Sequence, residues 1–258
     1  MADEAPNLST RRSTRRRRSA LWGLRGKTLW DWLPIVGAFL IPVVIALGTW
    51  AITSQQGKLE QRRVLQERYL AGERARDEAL QSYLSEMGSL LLEEDLRGSE
   101  RGSEVRTVAR ARTLTVLEML DPERKSEAMQ FLDEANLLHT TPSKPKVPLI
   151  SLEGANLIGT ELQNANFTGA KLEGADLRGT DLRGAYLTDG WLIYTDLSGA
   201  ELQKADLSGV HLHVADFRGA DLRGAIGITG QELADYGCIL EGATMPNGQN
   251  YEEWLKDK

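Results

Sequence analysis

The stretch Ala175–Gly209 reads ADLRG TDLRG AYLTD GWLIY TDLSG AELQK ADLSG, with leucine at every fifth place. Stepping outward by five from Leu177 reaches Leu152 in one direction and Leu222 in the other, and all 15 of these centres are Leu or Phe. Two residues before the centre stands Ala in nine units, and two after it stands Gly in ten. An α-helix turns about 100° per residue, so a five-residue step would scatter these leucines around its surface. In extended chain the centre and the residue two before it point to one side and their neighbours to the other, which gives one continuous apolar face. A recurrent glycine supplies a recurrent bend. Strict short-period repetition of this kind predicts a solenoid.

The units ANLIG, ANFTG, ADLRG, TDLRG, TDLSG, ADLSG and ADFRG resemble those of the pentapeptide-repeat family. That resemblance implies a right-handed quadrilateral β-helix with four pentapeptides per coil, the Leu or Phe inside and the small residue stacked beside it. The expected class is α+β: a single transmembrane helix and a helical segment followed by the solenoid. The repeats make just under four coils, a column about 18 Å tall at the spacing of adjacent strands. Such a column has two raw ends. Pro148 and the linker before it are expected to shield the first. At the second, Thr229-Gly230-Gln231-Glu232 has the spacing of a capping box that opens a short helix. A Leu240–Met245 echo of the repeat and then YEEWLK complete a cap.

With four units to a coil, every fourth unit shares a column. Asn156, Asp176, Asp196 and Asp216 form one outward column, and Glu161, Asp181, Glu201 and Asp221 another. Arg178, Arg218, Arg183 and Arg223 lie in the columns beside them, which predicts a salt-bridged, solvated surface. Some soluble pentapeptide-repeat proteins are thought to mimic DNA and bind type II topoisomerases, so the resemblance keeps an inhibitor or protector of such an enzyme as an alternative. Alternating arginines weaken the uniform negative field which that role needs. The face through Leu152, Leu172, Leu192 and Leu212 is different. Asp189 and Tyr194 replace bend glycines there, Gly190 replaces the small inward residue, and Trp191 and Ile193 point outward with His211 and His213 one coil on. Large apolar and aromatic groups on a surface mark contact sites. The candidate protein-binding residues are therefore Trp191, Ile193, Tyr194, His211 and His213. The two histidines lie two apart on one side of the chain, but the sequence shows no third ligand, so no metal is expected.

Near the N-terminus, Trp32–Ile52 is 21 residues without a charge, WLPIVGAFLIPVVIALGTWAI. About 20 suffice to cross the hydrocarbon core as a helix. Trp30, Trp32 and Trp50 sit near its ends, at headgroup depth, and Pro42 predicts a tolerable mid-span bend. A cleaved signal peptide is the alternative, because RRSTRRRR resembles a basic n-region. Against it, the apolar run is longer than a usual h-region, and Trp50–Ser54 offers no small-x-small cleavage site. Eight Lys/Arg in residues 11–31 against four in 53–73 favour a cytoplasmic N-terminus. Arg11–Arg18 could hold anionic lipid at about 1 kcal/mol per charge, or serve only to fix topology.

Between span and solenoid, Leu80, Leu84, Met87 and Leu91 recur at helical spacing, and a helix continuing from the membrane to Leu96 would form a stalk. A second helix is expected from Ser103, carrying Val105, Val108, Ala109, Leu114, Leu117 and Leu120. A third has Asp121 as N-cap and Pro122 at its first position, and carries Met129, Leu132 and Leu138. The Arg106–Arg112 stretch reads as a salt-bridged face among Glu104 and Glu118, so no nucleic-acid partner is expected. Net charge is −6, with eight Lys/Arg against three acids in residues 1–31 and eight against seventeen in 149–258. The one cysteine, Cys238, has no internal partner for a disulfide.

No nucleophile elbow, phosphate loop, dinucleotide fingerprint or zinc spacing is present, so the chain is expected to be no enzyme and to need no cofactor. The expected division is a basic, disordered tail (1–31), the membrane helix (32–52), a helical stalk and hairpin (53–140), a stiff linker (141–148), the solenoid (149–224) and a cap (225–258). The function that follows is a membrane-tethered scaffold that presents the solenoid to a protein partner, compatible with a homo-oligomer. A small subunit of a larger membrane complex is the other non-enzymatic alternative.

Overall fold

The computed structural model describes residues 29–140 and 148–258. The tail through residue 28, with its Arg11–Arg18 run, and residues 141–147 of the linker lie outside the described residues. The chain divides into two units, Met1–Glu67 and Arg68–Lys258. The first holds most of helix α1 (Leu29–Leu92), which is long and apolar enough to cross a membrane and whose apolar stretch is not buried. Pro34 and Pro42 lie inside the helix. Thr49 Oγ1 donates to Ile45 O at 2.8 Å and Thr53 Oγ1 to Thr49 O at 2.7 Å. These hydroxyls are thus satisfied by the helix itself.

The solenoid lies in the second unit, and its construction can be followed one amide at a time. In the unit Ala175–Gly179, Ala175 N–H donates to Leu172 O at 3.0 Å and closes the turn from the unit before. Asp176 N–H donates at 2.9 Å to Ala155 O of the preceding coil. Leu177 and Gly179 donate at 2.7 and 3.0 Å to Asp196 O and Ser198 O of the following coil. The remaining donor, Arg178 N–H, is taken at 3.3 Å by the carboxylate of Asp176, an Asx turn. Asn166, Asp181, Asp196, Asp206, Asp216 and Asp221 cap the amide two residues on in the same way. Each place in the motif therefore has a physical reason: a small residue inside, a short acceptor outside, a core side chain, a free outward position and a bend.

Parallel bridges join Asn156, Asp176, Asp196 and Asp216, residues 20 apart, so four pentapeptides make one coil. The predicted solenoid is present, but the strand content that an α+β assignment implies is not. Among the described residues its β structure is single-residue bridges, because a turn in every five residues leaves no room for a longer strand. All fifteen bends, Gly154 to Gly224, are left-handed with φ between 54° and 70°. Ten are glycine; Asn164, Asp189, Tyr194, Lys204 and Val214 adopt the same conformation. Inside, Thr180 and Thr195 are fully buried, and their hydroxyls donate to Leu157 O and Leu172 O at 2.9 and 2.8 Å.

Among the described residues helices close the first edge of the solenoid; Pro148, expected to shield it, is buried, and the rest of the linker expected there falls outside the described residues. α2 (Glu104–Met119) and α3 (Pro122–Glu134) share one core with it, Leu117, Met129 and Leu132 being buried in the same cluster as Ile150 and Leu157. α3 answers the unpaired groups of the first coil directly: Ser126 Oγ accepts Glu161 N–H at 2.8 Å and Asp133 accepts Asn166 N–H at 3.2 Å. Lys125, 5 % exposed, donates to Asn156 Oδ1 at 2.7 Å. The end of α1 packs beside them. Tyr83 and Thr113 share a buried hydroxyl pair at 2.9 Å, and Arg124 binds Glu73 at 3.0 Å, Asp77 at 2.7 Å and its own N-cap Asp121. α1 stops at Leu92, short of the expected Leu96, because Asp95 at φ 48° turns the chain and Leu96 N–H returns to Leu90 O at 3.0 Å. Leu96 thereby enters the core.

At the other end Thr229 and Glu232 form the expected capping box of α4 (Gly230–Asp235). After this interruption Ile239 and Thr244 rejoin the columns of Asp216 and Asp221, with Leu240 and Met245 buried. α5 (Tyr251–Lys256) closes the edge: Asn250 before it pairs antiparallel with Thr244, and Tyr251 N–H donates to Ala243 O at 2.9 Å.

Candidate functional site

Two faces of the solenoid carry the Asp and Arg columns. Arg178, Arg183, Arg218 and Arg223 each meet the carboxylate two residues before at 2.7, 2.5, 2.5 and 2.6 Å. Arg178 and Arg183 also reach Asp196 and Glu201 of the next coil at 3.7 and 3.4 Å. The guanidiniums beside Asp176, Asp181 and Asp216 hold those carboxyls below the usual carboxylate range. Each Asp-x-Arg unit is thus neutralised within itself, which breaks up the excess of carboxylates on these faces. The Arg-rich segment of α2 is occupied similarly: Arg106 donates to Ser99 O, Arg110 to Glu153 O and Arg112 pairs with Glu86 at 2.7 Å.

The face through Leu172, Leu192 and Leu212 has no Asp-x-Arg unit, and its Lys171 pairs instead with Glu153 at 3.2 Å. Bridges place Lys171, Trp191 and His211 in one column, and Trp191 is 41 % exposed. Its ring leans on His211 with centroids 4.4 Å apart, and Tyr194 meets His213 edge-on at 6.2 Å. Ile193 is half-buried, and both histidines are exposed. All five sequence-predicted residues are thus brought onto one face as two aromatic steps. Sequence reasoning missed Val214. It is 40 % exposed and occupies the bend one coil beyond Tyr194, itself 65 % exposed. The signal was available, since Val214 stands where the motif calls for glycine. Tyr186, also missed, is exposed one face earlier.

Gly190 fits this face closely: a Cβ there would lie 2.8 Å from Leu187 O and 3.1 Å from a Leu192 methyl. Among the described residues no group of three His, Cys, Asp or Glu could hold a metal ion. A concavity of ≈ 930 Å³ lies between α3 and the first coil and includes Glu123, Glu127, Asp133 and Glu161 in its walls. Its Ser126 and Asp133 already serve the coil edge.

The sequence matches the model of the pentapeptide repeats over residues 150–189 and 192–226, and the gap between the two matches falls on Gly190 and Trp191. No curated protein matches. Among solved structures, a pentapeptide repeat protein of the Arabidopsis thaliana thylakoid lumen is 28 % identical over 36 % of this chain and 60 % of its own, at a TM-score of 0.29. One from Nostoc PCC 7120 is 34 % identical over 36 % and 63 %, at 0.15. QnrB1, a plasmid-mediated fluoroquinolone resistance protein, is 19 % identical over 36 % and 55 %, at 0.20. The chain therefore spans less than two thirds of the length of each of these proteins. Residues 150–189 and 192–226 of this chain are pentapeptide repeats.

Proposed function

We propose that this protein is a membrane-tethered, non-enzymatic interaction module that offers the face around Trp191 to a protein partner. The observation that carries the reading is the pair Tyr194 and Val214. Left-handed backbone is unfavourable for bulky and β-branched residues, yet these two bends hold exposed apolar side chains beside an exposed Trp. Of the five bends without glycine these two alone hold large apolar side chains, and what is gained there is surface. The Trp191→Ala/Tyr194→Ala variant should lose the partner recovered with the native protein after gentle detergent extraction, with its circular dichroism melt preserved. An unchanged partner list would sink the assignment.

Tethering rests on α1, whose uncharged Trp32–Ile52 segment is long enough to span a bilayer. The flanking charge favours a cytoplasmic N-terminus, and winding of the coils is right-handed as the repeat family implies. The locally neutralised Asp/Arg faces favour this reading over a DNA mimic, which would need a field of one sign.

A further inference from the structure

The charges bordering the Trp191 face point to the chemistry of what it would grip. Asp189 lies two residues before Trp191, Asp196 two after Tyr194, and Glu173 one coil below Ile193, where Gly174 N–H meets Ile193 O at 2.9 Å. On the neighbouring faces an arginine two residues on clamps each aspartate of the Asp-x-Arg units, but Asp196 has Ser198 at that place, accepts its hydroxyl at 2.7 Å and, among the described residues, meets a cation only in Arg178, at 3.7 Å. Among the described residues Glu173 Oε2 is buried without a hydrogen-bond partner. The fixed cation of this face, Lys171, is already held by Glu153 at 3.2 Å. Exposed aromatic rings edged by carboxylates without a close counter-ion are a setting for a cation supplied from outside. The acidic balance of residues 149–258, seventeen carboxylates against eight Lys/Arg, adds long-range attraction of the same sign.

We infer that the face receives an arginine- or lysine-bearing segment of a protein partner, its cationic side chain laid on the Trp191 and Tyr194 rings and its charge answered by Glu173 and Asp189. The inference rests on the reading of this face as the partner surface and adds the partner's charge. The neighbouring His211 and His213 hold the two rings in position, so little order has to be imposed on binding.

The test uses the full-length protein in detergent and two short fluorescent peptides, one alternating arginine with serine and one in which neutral citrulline replaces arginine. Anisotropy should show the arginine peptide binding about tenfold more tightly, the scale of one well-desolvated cation–π contact. Trp191→Ala/Tyr194→Ala, which keeps every charge, should abolish the preference. Glu173→Gln, which keeps the rings, should weaken it, and Asp181→Asn on another face should leave it unchanged. Equal binding of both peptides that is lost in the double variant would overturn the cationic assignment and leave the partner surface standing. Arginine-peptide binding that survives the double variant would overturn the inference in favour of general acidity. Binding of neither peptide would overturn it as well, and a photoreactive phenylalanine analogue at position 194, crosslinked in cells, then judges the partner surface on its own.

Discussion

Val214 sits at φ 54° with its branched side chain 40 % exposed, in a position that ten of its fourteen counterparts fill with glycine. Left-handed backbone costs a β-carbon residue roughly 1–2 kcal/mol, against about 0.5–1 kcal/mol of extra chain entropy that glycine loses on folding. Val214→Gly should therefore raise stability by about 0.5–1 kcal/mol, read as a higher thermal midpoint, while partner binding falls. The opposite outcome is expected at Gly190, where a methyl would press on Leu187 O. Gly190→Ala should lose about 1–3 kcal/mol through overpacking, visible as a lower urea midpoint. The candidate site was legible at this scale wherever a residue departs from a strict period, as Asp189, Gly190 and Tyr194 do. The stacking of Trp191 on His211 was less so, because it joins residues a whole coil apart.

For single coils the decisive element is the Asx turn with its arginine clamp. Asp176, Asp181 and Asp216 are held below the usual carboxylate range by Arg178, Arg183 and Arg218. A carboxyl with a folded pKa below its unfolded value contributes stability that is fully present above about pH 4 and is lost as pH falls through the folded value. The thermal midpoint should thus be flat from neutral to mildly acid pH and fall below about pH 4. Replacing these aspartates with asparagine, which Asn166 shows can make the same turn, should flatten that acid limb. The elements themselves were largely readable: the N-caps Asp121 and Thr229 and the apolar spacing of α1 to α3 lie in local sequence. The docking of α3 on the first coil was not. It depends on Lys125, Ser126 and Asp133, ordinary polar residues whose partners lie some 30 places on and share no period with them. Lys125→Ala should cost about 1–3 kcal/mol by removing the charged donor to Asn156 Oδ1 at a part-buried contact, and hydrogen exchange should show the first coil opening before the later ones.

At the scale of the molecule, deleting residues 32–52 should move the protein from the alkali-resistant membrane pellet to the soluble fraction, with the circular dichroism of the repeats retained. The apolar run was plain in the sequence because lipid asks only for length and lack of charge. That the middle helices form the lid of the solenoid was hidden, since an amphipathic helix shows that it must pack and not against what. The closure of both edges bears on assembly. A bare coil presents amides and carbonyls that an identical coil would satisfy, which is how stacked β structure grows into fibres. Here Ser126 and Asp133 occupy donors at one edge, and Tyr251 and the Thr244–Asn250 pair finish the other. Capping at these groups sets the length of the column and opposes its end-to-end growth.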